Sequence, residues 1–323
     1  MNKNVFIDFK KIKHLDNNSE YIIGSHRACY KILNKDYERS IFLKENENNK
    51  REIIKTSNVL LFSNNEDKRY IDDDVVILDV FPHYSHLIVD MLSKFLYIKK
   101  HNKNVKAIFV DTQNDKETYD QKMHRKNFDE IFKKLKDVID IKEYININNE
   151  SSYFFKNVYS ISHKDSMGYQ RFSDVDDSFL LIRNMFIPKR ESQSNKNIFI
   201  SRRNEFSERI KNIKTLENYF KENKYDICFL EDMSFQEQVE LFYDAKNIAA
   251  VNGCSLTNLL FANTSSNVMS INSDPDYYAS EWRYIAKKIN IRYVELYMPT
   301  EDIDPVIKIF NTLDSLFIKN DIV

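Results

Sequence analysis

Glycine is nearly absent: three occur in 323 residues, at positions 24, 168 and 253, where ordinary usage of about 7% would place roughly 20. Functions built on a glycine-rich phosphate loop therefore have few places to sit, and neither a P-loop nor a GxGxxG fingerprint occurs. Cysteine is scarce as well. Cys29, Cys228 and Cys254 are odd in number and far apart, with no CxxC pair and no histidine at metal-ligand spacing, which excludes a disulfide framework and a zinc knot of the usual kind. An excess of one charge is also missing: 48 Lys plus Arg stand against 49 Asp plus Glu, a net charge of -1. Such a chain has no global field to hold a polyanion, so nucleic acid is not expected as a partner. No stretch approaches the ~18 uncharged apolar residues of a membrane span, and residues 1–18 never reach the apolar run of a signal peptide. The expectation is a cytoplasmic protein with reduced thiols and no transmembrane segment, compatible with peripheral contact at the inner face of a membrane.

What is present in quantity is apolar and aromatic. Hydrophobic residues make up 42% and aromatic residues 13%, with 23 Phe, 19 Tyr and a single Trp, while 30% are charged. That balance fills a large core and keeps the surface soluble. At about 150 residues per domain the length suggests two domains.

The order of apolar runs supports this. Short β-branched segments at 58–62 and 74–80 predict strands. A helix is predicted over 84–100, where Leu87, Val89, Met91, Leu92, Phe95, Leu96 and Ile98 recur at three and four spacing. A strand at 105–110, an amphipathic helix at 127–138 and a strand near 139–147 follow. Residues 187–197 are polar, contain Pro188 and lack periodicity, which predicts a linker. Beyond it strands at 198–201, 226–230, 248–251, 268–271 and 292–296 take turns with helices at 214–223, 234–245, 256–261 and 277–289, ending in a terminal helix at 305–317. The expected fold class is α/β, with two doubly wound, Rossmann-like domains facing a central cleft. The division is 1–186, a linker 187–197 and 198–323, with the terminal helix able to pack back on the first domain.

Ligands of such sheets bind outside the carboxyl ends of the strands. The loop after the strand at 198–201 carries Arg202, Arg203, Arg209 and Lys211, forked or pointed cations suited to phosphate; a solvated charged loop is the competing reading. The loop after 226–230 carries Glu231 and Asp232, then Ser234 and Glu237 in the spacing of a capping box. An acidic residue there can reach ribose hydroxyls. The third loop, Asn252-Gly253-Cys254-Ser255-Leu256-Thr257-Asn258, opens a helix directly after a hydrophobic strand. Backbone N–H groups and the dipole at a helix start favour a phosphate, and glycine lets it come close; a capped helix with a tight turn is the competing reading. In the first half, His86 and Asp90 stand four residues apart, on one face of the predicted helix. Either can accept a proton, although such a pair also arises by chance. Asp72-Asp73-Asp74 and Asp274-Pro275-Asp276 have the look of an Asp-x-Asp metal site but fit exposed turns better, so no metal is expected.

Taken together, Tyr84-Ser-His86-Leu-Ile-Val-Asp90, Phe199-Ile-Ser-Arg202-Arg203, Ser234-Phe-Gln-Glu237-Gln238 and Gly253-Cys-Ser-Leu256-Thr257-Asn258 resemble the family 61 glycosyltransferases over about residues 80–275. The resemblance implies a two-domain GT-B architecture and an inverting transfer of a sugar from a nucleotide-sugar donor to a glycan acceptor. No obligatory metal or other cofactor is implied. It assigns Asp90 and His86 to catalysis, Arg202 and Arg209 to the diphosphate, Glu231 to the nucleoside and the segment Gly253, Cys254, Ser255, Leu256, Thr257 and Asn258 to the donor. Two departures stand out: Asn252 and Ser255 replace a His and a Gly of the family pattern, and Ser93-Lys94 stands where Pro-Arg is common. A polysaccharide pyruvyl transferase and a catalytically silent nucleotide- or glycan-binding protein are the alternatives.

Overall fold

The computed structural model describes residues 12–14, 20–23, 29–33, 36–40, 53–61, 67–79, 84–111, 128–136, 139–146, 151–161, 178–203, 213–272 and 280–297. The chain divides into two compact units, Met1–Ile182 and Arg183–Val323.

The first unit is built on a nine-stranded sheet. Its strands are β1 (Ile12–His14), β2 (Glu20–Ile23), β3 (Cys29–Leu33), β4 (Asp36–Ser40), β5 (Ile53–Leu61), β6 (Asp67–Asp79), β7 (Lys106–Asp111), β8 (Ile141–Asn146) and β9 (Ser151–Ile161). They lie in the order β4-β3-β2-β1-β5-β9-β6-β7-β8. The side β9-β6-β7-β8 is parallel, as the predicted alternation requires. A π-helical turn, His86–Leu92, runs into α1 (Ser93–His101) between β6 and β7, and α2 (128–135) precedes β8. The rest of the sheet departs from the doubly wound expectation: β1 to β4 form an antiparallel meander, and β5 pairs antiparallel with both β1 and β9. Among the described residues no helix lies between β1 and β5, and short connections join neighbours only in antiparallel sense. Val75, Ile77, Ile108 and Phe109 of the sheet are buried together with Leu87, Ile88, Phe95 and Ile98 of the turn and helix.

The aspartates 72–74, expected in an exposed turn, instead lie within β6. Asp73 bridges Lys106 of the adjacent β7 and Lys142 of β8 beyond it, each at 2.9 Å, and these lysines hold its carboxyl below the usual range. Asp74 accepts hydrogen bonds from Asn157 (2.7 Å), Tyr159 (3.0 Å) and Asn102 (3.2 Å). Asp274 and Asp276 lie outside the described residues, as does the predicted terminal helix.

The second unit is an open, wholly parallel sheet. After α3 (Ser178–Phe186) come β10 (Lys196–Ile200), α4 (Ile213–Glu222), β11 (Asp226–Cys228), α5 (Phe235–Asp244), β12 (Ala245–Val251), a 3₁₀ helix Cys254–Phe261, β13 (Asn267–Asn272), α6 (Ser280–Lys288) and β14 (Arg292–Tyr297). The strand order is β11-β10-β12-β13-β14. Successive side chains of β10 point to opposite faces. Phe199 stacks on Phe220 of α4 at 4.3 Å between ring centres and joins Leu216, Ala249, Val251, Met269 and Ile271. Phe186, Phe235 and Phe261 form a second, edge-to-face aromatic cluster, each such pair adding about 1 kcal/mol to the burial itself. The polar segment 187–195 is held on this unit. Arg190 grips Asp244 with two hydrogen bonds of 2.8 and 2.7 Å, and Ser192 donates to the Tyr243 carbonyl at 2.6 Å.

Candidate active site

The order of the second sheet creates a switch point. From β10 the chain goes to β11 on one side, then crosses back to β12 on the other. In open parallel sheets this reversal leaves a crevice at the carboxyl ends of the two central strands, where ligands bind. Here those strands are β10 and β12, and their tips carry Ser201-Arg202-Arg203 and Asn252-Gly253.

The three tips are joined by hydrogen bonds. Arg202 donates from Nη2 to the Asn252 carbonyl at 3.2 Å, linking the loops after β10 and β12. Arg203 donates its backbone N–H to Glu231 Oε1 at 3.4 Å, linking the loops after β10 and β11. The Arg203 guanidinium pairs with Asp232 and lies 4.3 Å from the ring centre of Phe229. Just before them, buried Ser201 donates from Oγ to Glu217 Oε1 at 2.6 Å, which fixes the base of the arginine pair to α4.

Gly253 turns the chain from β12 into the 3₁₀ helix with φ 155° and ψ -170°, a region essentially restricted to glycine. Of the few glycines in the chain, this one stands where the backbone needs it. Behind the turn the helix is locked in place. Asn258 donates to Gln238 Oε1 at 3.1 Å, and Gln238 donates to the carbonyls of Leu230 (3.1 Å) and Met233 (3.4 Å). Arg183 closes the far end by donating to the carbonyls of Leu260 (2.5 Å) and Ala262 (2.7 Å); burial lowers its pKa. The Ser234–Glu237 capping box forms as the spacing predicts, at 3.2 and 2.7 Å, and contributes about 1 kcal/mol to α5.

This geometry sorts the expected site residues. Arg202, Glu231 and Gly253 meet at the switch point. Asn258 belongs to the buried network with Gln238, and Leu256 and Thr257 are wholly buried, so these three shape the helix behind the turn. Cys254 and Ser255 stand half-buried at its start. Glu231 Oε2, Ser255 Oγ and Thr257 Oγ1 are buried atoms with no hydrogen-bond partner among the described residues. Such groups cost about 1–3 kcal/mol each when left unsatisfied. Arg209 lies outside the described residues. His86 and Asp90 fall in the π-helical turn after β6, where i→i+5 bonds replace the α winding that the spacing predicts; π turns are frequent at functional sites. Ser93, which stands where Pro is common in the family pattern, is buried and donates to the Ile88 carbonyl at 3.4 Å.

Sequence reasoning names Gln238 in the resemblance but gives it no role, since its contacts lie across loops, and it missed Trp282, whose indole N–H donates to Asn252 Oδ1 at 2.9 Å. Its being the only tryptophan was the available signal. Cys228 is buried beside this region, and burial pushes its thiol up to about 11. Among the described residues no three His, Cys, Asp or Glu side chains gather as a metal site.

The model of glycosyltransferase 61 matches residues 84–269, from the start of the π-helical region to β13. The chain belongs to glycosyltransferase family 61. No curated protein matches it. The family match takes in the π turn, the arginine pair, the capped α5 and the glycine turn, so the polar contacts at the second unit's strand tips lie within the family's own domain. Among the described residues, no helix of this glycosyltransferase is long and apolar enough to cross a membrane.

Proposed function

We propose that this family 61 member is an inverting transferase that moves a sugar from a nucleotide-diphosphate donor to a hydroxyl of a glycan. The observation that carries this reading is the convergence of Arg202, Glu231 and the Asn252–Gly253 turn at the switch point of a parallel sheet. The guanidinium of Arg202 and the backbone N–H groups that follow Gly253 suit a diphosphate. The unsatisfied Oε2 of Glu231 suits the hydroxyls of a ribose, and the hydroxyl of Ser255 suits a phosphate or sugar oxygen.

In the proposed reaction the acceptor oxygen attacks the anomeric carbon from the face opposite the leaving group. The bond from that carbon to the diphosphate oxygen breaks, and the electron pair leaves with the nucleotide. Arg202 and the amides of the turn stabilise the charge that develops there, with Arg209 as a further cation, in the role that a metal plays in other transferases. Asp90 takes the proton of the incoming hydroxyl, and His86 orients it or serves in its place. Incubation of the protein with a panel of nucleotide sugars and glycan acceptors tests this. The expected result is acceptor-dependent release of one nucleoside diphosphate, with a product of inverted anomeric configuration; binding without release across the panel would overturn transfer.

A further inference from the structure

Trp282 is the only tryptophan in the chain. It lies on α6, beyond the last residue of the family match, and is 2% exposed. An indole N–H is a donor with no acceptor capacity, and here its partner is the side-chain oxygen of Asn252. Asn252 is itself buried and held from two other directions. Its N–H donates to the Ile271 carbonyl at 2.8 Å, and its carbonyl accepts from Arg202. The residue that opens the Gly253 turn is thus fixed by β13, by Arg202 and by α6 at once. Phenylalanine would fill much of the same space in the core, so packing alone does not require the polar edge of an indole. The bond to Asn252 Oδ1 also decides which end of that amide faces the helix.

We propose that Trp282 is a positioning residue of the donor site, acting through Asn252 to set the Arg202 guanidinium and the glycine turn against the diphosphate. The proposal rests on the reading that a nucleoside diphosphate binds at this switch point. It makes α6 part of the donor site through the one indole hydrogen bond.

The test uses the full chain and the diphosphates of uridine, guanosine, adenosine and cytidine. Calorimetry on the wild type first shows whether any of them binds; if none does, the reading of the site fails, and this proposal with it. For one that binds, the single indole ¹⁵N–H signal of the native protein is expected to shift on saturation. Trp282→Phe is expected to weaken its affinity roughly fivefold, the worth of one ordinary hydrogen bond, and to raise the KM for donor while leaving the KM for acceptor unchanged. In an Asn252→Ala background the same change is expected to cost nothing further, because Trp282 acts through that side chain. A diphosphate that binds without moving the indole signal would overturn the proposal and leave the site standing. So would equal affinity in the variant, or a full fivefold loss in both backgrounds. Should Trp282→Phe fail to fold, the indole signal of the native protein decides alone.

Discussion

The two units place their polar contacts differently, at loop tips in the second and between strands in the first. In the second, Arg202, Glu231 and Asn252 meet at the carboxyl ends of β10, β11 and β12. In the first, Asp73 and Asp74 lie within β6 and gather Lys106 and Lys142 from the starts of β7 and β8 and Asn157 and Tyr159 from the later part of β9. Ligands of open parallel sheets bind outside the carboxyl ends of the strands, whereas the first unit's groups pair from strand to strand. The polar groups therefore join loop tips in one unit and strands in the other. The first unit also carries His86 and Asp90, in the π turn after β6.

The largest effect that this contrast predicts is catalytic. Asp90→Asn should lower kcat by about 10²–10⁴-fold, the range for loss of a general base, while diphosphate affinity measured by calorimetry stays within about twofold. A variant that keeps most of its activity would remove the first unit's aspartate from the reaction. Next, Gly253→Ala forces a Cβ into backbone space that costs of order 1–3 kcal/mol. It should weaken diphosphate binding about tenfold or more, with circular dichroism confirming that the parallel sheet persists. Unchanged binding would show that the turn does not approach the ligand.

The smallest effect belongs to the ion pairs that join the first unit's strands. Asp73→Asn should lower the thermal midpoint at neutral pH by a few degrees at most, as befits half-exposed ion pairs, and leave donor affinity untouched. The sign with pH follows from the direction of the shift. Lys106 and Lys142 depress the Asp73 pKa below 3.8, so their stabilisation is present above that value and fades as pH falls through the folded pKa. The gap between variant and wild type should close over that acid range. A gap that widened instead would contradict the pairing.

The parallel sheet of the second unit was legible because its inner strands are buried on both faces and read as continuous apolar runs, such as Ile198-Phe199-Ile200 and Ile248-Ala-Ala-Val251. The capping box was legible too, since it depends on residues three apart. The meander β1 to β4 was not, because its short segments mix apolar with charged residues and carry no period strong enough to set them apart. Strand β9 was missed although Tyr153, Phe155 and Asn157 alternate on its buried face; the aromatic run around it was the signal. At the site, Arg202, Glu231 and Gly253 could be picked out because each stands directly after a strand. Gln238–Asn258 and Trp282–Asn252 could not, since these pairs span 20 and 30 residues and exist only once the sheet has brought the loops together. Asn258, which the resemblance assigns to the donor, is wholly buried and donates to Gln238.

The central claim is that the carboxyl ends of β10, β11 and β12 hold the diphosphate of a nucleotide sugar, with Arg202 as its principal cation. Calorimetric titration of wild type and Arg202→Ala, each with the favoured nucleoside diphosphate and with the same nucleoside lacking phosphates, measures this directly. The account predicts that the substitution weakens diphosphate binding by about 10²-fold, as expected for a lost charge-assisted contact of roughly 2–3 kcal/mol, and barely changes the weak binding of the nucleoside. Equal affinity of wild type and Arg202→Ala for the diphosphate would contradict it.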